Sequence, residues 1–145
     1  MQKLTATITQ VDVDYNQAEM NTAKLLLDLK CKLGEGCLWR DNSLYFTDIE
    51  NCKWHKLDFT HKSLTTVDLP NKCGSFAFCQ SNKDKFLMSM QTGFCWMHPD
   101  YSLEPIESDY ALAEDGRLND GRCDRQSRFV VGGMKFAEPK QMPVF

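Results

Sequence analysis

The sequence lacks both a long apolar segment and a cluster of basic residues. No stretch approaches the length of a membrane-spanning helix, and Thr, Gln and Asp interrupt the apolar residues of 1–17, so we expect neither a secretory signal nor a membrane partner. Seventeen basic against twenty acidic residues leave a formal charge of −3, and no Lys/Arg group is interleaved with aromatic residues. Nucleic acid is therefore not expected as a partner.

Histidine is scarce, and the cysteines lack the spacing of metal or redox motifs. The three histidines stand at no zinc-ligand spacing, and the seven cysteines contain no C-x-x-C pair. An odd number of cysteines without an export signal predicts reduced thiols in a cytoplasmic protein, several of them small core residues. One or two disulfides in an exported form are the alternative. We expect seven unpaired cysteines: Cys31, Cys37, Cys52, Cys73, Cys79, Cys95 and Cys123.

Short β-type segments fill the chain from Leu38 onward. The 145 residues are 42% hydrophobic and 26% charged, which suits one globular domain with a real core. Eight runs between polar, Gly or Pro residues have strand character: SLYFTDI, CKWHKLDF, SLTTVDLP, SFAFC, KFLMSMQ, GFCWMHP, SLEPIES and RFVVGGM. The only helix-like stretch is 16–29, and its leucines, Leu25, Leu26, Leu27 and Leu29, could equally form a first strand.

The β-type segments recur with a regular period. Tyr45, Phe86 and Phe129 occupy the same place in three successive units, 41 and 43 residues apart. Each unit has the same order of an apolar pair, a polar turn and an apolar strand. A four-stranded propeller blade has roughly 40 to 50 residues, so the period predicts an all-β propeller with about three blades. A β-sandwich with evenly spaced hairpins is the alternative, and the threefold recurrence favours blades.

The segment GRLNDGR, residues 116–122, places polar side chains between two glycines. Asn-Asp-Gly is ordinary turn chemistry, so a solvated turn is the simpler interpretation. Glycines also occur where a backbone approaches a ligand closely, which makes this predicted loop a candidate binding segment.

Three motifs, LGEGCLW (33–39), YFTDIEN (45–51) and RLNDGRCDRQSRFVVGGM (117–134), occur in an order and spacing that point to one family. They resemble the regucalcin/gluconolactonase family, which includes the luciferin-regenerating enzymes, and the resemblance runs from about residue 24 to residue 134. It implies a β-propeller of the six-bladed type that hydrolyses sugar lactones with a divalent metal at one end of its central channel.

The resemblance also implies site residues. Glu35 matches a metal-binding carboxylate, and Arg117 and Asn119 match residues that line the substrate pocket, with Asp120 beside them. The implied metal is calcium or zinc, with magnesium and manganese as further alternatives, and a hard cation prefers such oxygen ligands. A small-molecule sugar lactone presents hydroxyls and a carbonyl to Arg and Asn. The family usually has proline where this chain has Cys37, which relaxes the turn after Glu35.

The resemblance implies only the N-terminal half of such a domain. Residues 23–145 would form a partial propeller, and residues 1–22 an N-terminal extension. The remaining metal ligands of the family, an asparagine and an aspartate that also serves as base, come from its second half, so no catalytic residue is assigned in this chain. About three blades are fewer than the four to eight that close a propeller, which predicts a truncated lactonase with an open stack of sheets.

A non-catalytic calcium-binding or scaffold propeller module is the alternative function. The combination of Glu35, Arg117 and Asn119 favours the enzyme, because a scaffold does not need these three residues together. Hydrolysis by a nucleophilic Ser or Cys is not expected, since the sequence has neither a G-x-S-x-G motif nor a suitably placed Cys/His pair.

Overall fold

The chain is all-β in the residues that the structure describes. A computed structural model describes residues 1–13, 23, 25–107 and 115–136, and these residues contain no helix, hence none that could cross a membrane. The prediction of an all-β fold is confirmed. The strands are β1 (Gln2–Lys3), β2 (Ala6–Gln10), β3 (Gly34–Arg40), β4 (Ser43–Asp48), β5 (Lys53–Asp58), β6 (Ser63–Asp68), β7 (Cys73–Phe78), β8 (Phe86–Met90), β9 (Gly93–Met97), β10 (Ser102–Pro105), β11 (Gly116–Cys123) and β12 (Phe129–Lys135).

Five strands form the first antiparallel sheet in the order β2-β6-β5-β4-β3. Strands β3 to β6 are a meander of consecutive strands joined by short turns. Asp41 and Asn42, with φ of 48° and 53°, form the two-residue loop between Arg40 and Ser43, where Asx residues tolerate a positive φ. This meander is the four-stranded unit that the sequence period predicts.

The second sheet repeats the first, and a third sheet begins in the same way. The second has the order β1-β10-β9-β8-β7, with β7 to β10 as its meander, and β11 pairs with β12. Tyr45, Phe86 and Phe129 lie in β4, β8 and β12, each in the second strand of its unit and paired with the first. The predicted repeat is confirmed: the described part of the chain holds two four-stranded blades and two strands of a third.

Residues 2–10 add a fifth strand to each complete blade. Strand β2 pairs with β6 at the outer edge of the first sheet, and β1 pairs with β10 at the outer edge of the second. One short segment at the start of the chain therefore contacts both blades. The eight runs recognised in the sequence include neither strand.

An aromatic core fixes the first two blades against each other. Trp54, Phe76 and Phe86 are at most 5% exposed, and the Trp54 ring lies 5.0 Å from Phe86 and 6.1 Å from Phe76 between centroids. Tyr45 lies 5.7 Å from Phe86. Burial of each such side chain stabilises the fold by about 1.5–3 kcal/mol. Because these residues come from both sheets, they hold the innermost strands β3 and β7 side by side.

The leucine-rich segment before β3 has no regular structure. Leu26, Leu27 and Leu29 pack against a small separate cluster that includes Leu57 and Leu64. Residues 25–30 form neither a helix nor a strand, so both predictions for these leucines are wrong. The segment packs through partly buried side chains and has a local hydrogen bond from the Lys30 N–H to Asp28. Residues 16–22 and 24 of the helix-like stretch lie outside the described residues.

All seven cysteines have free thiols, as the sequence predicts. Cys73 and Cys95 are buried in the aromatic core, which agrees with the expectation that several cysteines act as small core residues. Burial raises the pKa of both thiols, that of Cys95 to about 12. These two side chains are therefore protonated and inert near neutral pH.

Candidate functional site

The innermost strand of each sheet carries a β-bulge in its first half. The register shifts in β3 after Glu35, in β7 at Gly74, and in β11 at Asn119 and Asp120. A bulge re-aims side chains out of the regular pleat and is frequent beside functional sites. The two sequence motifs that carry the predicted site residues therefore share one structural feature.

The segment GRLNDGR is a strand, and the prediction of a loop or turn there is wrong. Residues Gly116–Cys123 form β11, which pairs with β12 over its whole length except at the bulge. The bulge explains the error, because it places Asn-Asp-Gly in an irregular strand and so imitates the composition of a turn.

Glu35 is held at the bulge of β3 by its backbone. Thr47 of β4 donates its hydroxyl to the Glu35 carbonyl at 3.3 Å, and Gly36 has a φ of 70°, which favours glycine. The Glu35 side chain is half-buried. Its carboxylate therefore projects from a fixed backbone position at the start of the innermost strand.

Asp48 anchors the segment that leads into Glu35. Its carboxylate is 2% exposed and accepts the backbone N–H groups of Lys32 at 3.1 Å and Leu33 at 3.0 Å, and the Asn51 amide at 2.7 Å. Burial alone would raise the pKa of Asp48, but these donors outweigh it and hold the pKa below its ordinary value. An ionised Asp48 thus fixes the entry to β3.

Arg117 and Asn119 form a hydrogen-bonded pair on β11. The Arg117 guanidinium is buried, at 5% exposure, and donates to Asn119 Oδ1 at 2.6 Å and to the Leu118 carbonyl at 3.1 Å. Residues two apart on a strand share a face, so strand geometry brings the two side chains together. Oδ1 accepts the guanidinium, and within the described residues no hydrogen bond occupies the Asn119 Nδ2 hydrogens.

Close backbone packing fixes β11 against β7. Ser75 donates its hydroxyl to the Asn119 carbonyl at 2.7 Å. A Cβ at Gly74 would lie 2.5 Å from the Leu118 carbonyl oxygen and 2.7 Å from Asn119 Cα, so only glycine permits this approach. The bulge that carries Asn119 is consequently seated on the bulge of β7.

Strand β3 contacts β7 at Phe76, one residue after the Ser75 that contacts β11. A Cβ at Gly36 would lie 3.8 Å from the Phe76 ring, whereas Ser75 contacts Asn119. Gly36, which follows Glu35, and Asn119 therefore contact two consecutive residues of β7. No hydrogen bond or ion pair joins Glu35 to Arg117 or Asn119 within the described residues.

Asp120 turns to a different partner. Its carboxylate accepts Arg122 at 3.0 Å and the Gly121 N–H at 2.9 Å, and both charged side chains are more than half exposed. It lies within the bulge, and among the described residues no hydrogen bond or ion pair joins its carboxylate to Arg117 or Asn119.

An ion pair beside Arg117 was missed by the sequence reasoning. Lys72, just before β7, contacts Glu50, just after β4, at 2.8 Å. The hydrogen bond from Lys72 is the main cause that lowers the pKa of Glu50, and the positive charges of Lys32 and Arg117 add to it. The positive charge of Arg117, in the third sheet, therefore acts on Glu50, which follows a strand of the first sheet. Glu50 follows directly after the YFTDI motif, which is the signal that could have identified it.

The described residues do not provide a complete metal site. No group of three or more His, Cys, Asp or Glu side chains converges within them. Calcium requires six to eight oxygen ligands, and Glu35 supplies one carboxylate. The residues present therefore do not by themselves fit the divalent metal that the sequence resemblance implies.

Known proteins match this chain in both sequence and fold. The family model described as SMP-30/Gluconolactonase/LRE-like region matches residues 33–143. "Putative sugar lactone lactonase YvrE" of Bacillus subtilis (strain 168) is 33% identical over 129 residues, which cover 85% of this chain and 43% of that protein. L-arabinolactonase of Azospirillum brasilense is 32% identical over 114 residues, which cover 76% of this chain and 37% of that protein.

A solved structure shares the fold. The crystal structure of a calcium-binding protein, regucalcin, from Agrobacterium tumefaciens superposes with a TM-score of 0.62 at 23% identity, over 71% of this chain and 35% of that one. The chain spans about two fifths of the length of the curated relatives it matches. The bladed sheets observed here therefore correspond to part of a β-propeller.

Proposed function

The chain belongs to the SMP-30/gluconolactonase/LRE-like family, and from this premise we propose that it binds sugar lactones at the bulged ends of its innermost strands. The buried Arg117 guanidinium, fixed to Asn119 Oδ1 at 2.6 Å, is the observation that carries the proposal. A buried cation with a fixed donor geometry is preorganised for a ligand that presents oxygen atoms. Sugar lactones have such atoms in their carbonyl, ring oxygen and hydroxyls.

Each residue of the pair has a distinct proposed role. Asn119 donates its Nδ2 hydrogens to a lactone hydroxyl or carbonyl oxygen, because Arg117 already occupies its Oδ1. Arg117 orients the amide and places positive charge beside the carbonyl, where negative charge develops as the ester is attacked. Asp120 accepts a hydroxyl of the sugar at the rim, in exchange for part of its contact with Arg122.

Glu35 is proposed as one oxygen ligand of a divalent cation, calcium or zinc, with magnesium and manganese as alternatives. Such an ion requires further oxygen ligands from outside the described residues, because those described supply one carboxylate. When bound, a metal would polarise the lactone carbonyl. Lactone binding by Arg117 and Asn119 does not depend on the metal.

We expect slow hydrolysis by this 145-residue chain. No carboxylate of the described residues forms a hydrogen bond or ion pair with the Arg117–Asn119 pair, so none is placed there as a general base, and base catalysis typically contributes about 10²–10⁴-fold. The free thiols of all seven cysteines support a cytoplasmic setting for this activity.

The test measures lactone binding and turnover on the same protein. Binding of a five-membered aldonolactone is followed by saturation-transfer NMR, and acid release is followed in a pH-stat with and without calcium, zinc, magnesium or manganese. Asn119→Ala should weaken lactone binding about tenfold, since it removes the charge-assisted contact and the donor. Asn82→Ala, in an exposed turn between β7 and β8, is the matched control and should bind as the wild type does.

Glu35→Gln separates metal binding from lactone binding. It should leave lactone affinity unchanged and remove whatever stimulation of turnover the metal provides. Equal lactone affinity of the Asn119→Ala and wild-type chains would refute the substrate role. Rapid turnover that Glu35→Gln does not affect would show that other residues perform the chemistry, and absence of lactone binding would favour the non-catalytic alternative.

A further inference from the structure

A concave site lies at the ends of the innermost strands that are opposite to the bulges. A cleft of about 750 Å³ is bordered by Arg40 at the end of β3, by the residues after Phe78 at the end of β7, and by Arg122 and Cys123 at the end of β11. Small-molecule sites typically measure about 300–1,000 Å³. Five residues separate Glu35 from Arg40, which is about 16 Å along a strand, so the cleft is distinct from the bulged ends.

The charge of the cleft has one sign. Arg40, Lys83 and Arg122 contribute three cations to the wall, and no carboxylate is among the residues that line it. Within the described residues, neither Arg40 nor Lys83 has a carboxylate at ion-pair distance, whereas Arg122 pairs with Asp120. An anion that enters the cleft therefore meets two cations without a competing partner.

Arg40 leaves a buried hydrogen-bond donor unsatisfied. Its guanidinium carbon lies 3.8 Å from the centroid of the Phe78 ring, which orients the planar group flat against an aromatic wall. The Nε atom is inaccessible to solvent and has no hydrogen-bond partner among the residues that the structure describes. An unpaired buried donor is costly, and the cost is removed if the Arg40 side chain turns its Nε towards an acceptor atom of a ligand.

The remaining wall of the cleft is mostly apolar and aromatic, and Gln80 and Ser127 are its polar members. Phe78, Trp96 and Phe129 come from β7, β9 and β12, and aliphatic side chains fill the space between them. Aromatic side chains favour offset or edge-to-face contacts with another ring. A ligand that fits both the basic and the aromatic part of the wall has a flat apolar body and one negatively charged group.

We propose that this cleft binds small aromatic carboxylates, with the carboxylate against Arg40 and Lys83 and the ring against Trp96 and Phe129. The proposal does not rest on lactone binding, because Arg40, Lys83, Trp96 and Phe129 all lie outside the bulged ends. Arg122 in the cleft wall pairs with Asp120 of the bulge, but the proposal does not use it. Two thiols, Cys79 and Cys123, also line the cleft and provide native probes of its occupancy. The Ser81 hydroxyl at 3.2 Å lowers the pKa of Cys79, which makes this thiol reactive towards alkylation.

Calorimetric titration of the 145-residue chain with 2-naphthoate tests the charge requirement. We expect 2-naphthoate to bind about tenfold more tightly than neutral 2-naphthamide. Arg40→Gln should lower the affinity for 2-naphthoate about tenfold and leave that for the amide nearly unchanged. Arg125→Gln removes one exposed arginine that does not line the cleft, and it should leave both affinities unchanged. If Arg40→Gln unfolds the chain, Lys83→Gln, at an exposed position, replaces it.

Alkylation locates the bound ligand. Saturating 2-naphthoate should slow iodoacetamide labelling of Cys79 and Cys123 several-fold, whereas labelling of Cys37, which is exposed and outside the cleft, should not change. Peptide mass spectrometry measures each site separately. Equal losses of affinity in Arg40→Gln and Arg125→Gln, equal binding of acid and amide, or unprotected thiols at saturation would each overturn the proposal.

Discussion

Replacement of Gly74 by alanine should disturb the candidate site, although Gly74 itself is not one of the proposed ligand-binding residues. The added Cβ would lie 2.5 Å from the Leu118 carbonyl oxygen and 2.7 Å from both Cα and O of Asn119. All three are backbone atoms, so a rotamer change cannot relieve the contact, and β11 must move by about 0.9 Å to restore an ordinary separation. Overpacking of this kind costs about 1–3 kcal/mol.

The assay compares Gly74→Ala with Gly132→Ala by thermal circular dichroism and by lactone titration. A Cβ at Gly132 would meet only the Asp120 carbonyl oxygen at 3.8 Å, which is an ordinary contact, so this control should change stability by less than about 0.5 kcal/mol. Gly74→Ala should lower Tm by about 4–10 °C, on the scale for domains of this size. It should also weaken lactone binding, because the backbone of Asn119 moves. Equal Tm values and equal affinities in the two variants would refute the close approach of β7 and β11.

Two further predictions concern ionisable groups. Asp48→Asn should destabilise the chain by about 2 kcal/mol at pH 7, and the difference from wild type should shrink below about pH 4 in acid denaturation curves. The pKa of Asp48 is lower in the folded state, so its stabilisation is complete above the unfolded pKa and is lost as the pH falls through the folded pKa. A stability difference between Asp48→Asn and wild type that does not vary with pH would contradict this. Thiol titration without reductant should give seven reactive groups in denaturant, with Cys73 and Cys95 slow in the native state because both are buried, and a lower total would indicate a disulfide.

The strands of the two complete meanders were predictable because they are short apolar runs bounded by polar turn residues. The Lys53–Asp58 strand places Trp54 and Leu57 on opposite faces, and each side chain belongs to a different buried cluster, so the strand is recognisable by its apolar residues on both faces. The period of Tyr45, Phe86 and Phe129 similarly reflects equivalent positions in successive blades. Local pattern therefore predicted the meanders and their repetition.

The innermost strand of the third sheet was not predictable in the same way. The bulge at Asn119 and Asp120 interrupts the alternation of side chains along the strand. Gly121 permits close packing of two strands, because a Cβ there would lie 2.7 Å from Val131. Strands β1 and β2 are short and mostly exposed. They pair with the edge strands β10 and β6, which lie far from them in the sequence, so no local pattern predicts the pairing. The Glu50–Lys72 pair likewise joins residues 22 apart through the fold.

A crystal structure of the chain soaked with a five-membered aldonolactone tests the central claim most directly. We predict that the lactone oxygens lie within hydrogen-bond distance of Asn119 Nδ2 and the Arg117 guanidinium, with the Glu35 carboxylate at the same end of the innermost strands. A lactone bound elsewhere, or Glu35 and Asn119 on opposite ends of the sheets, would contradict the claim that these residues form one site.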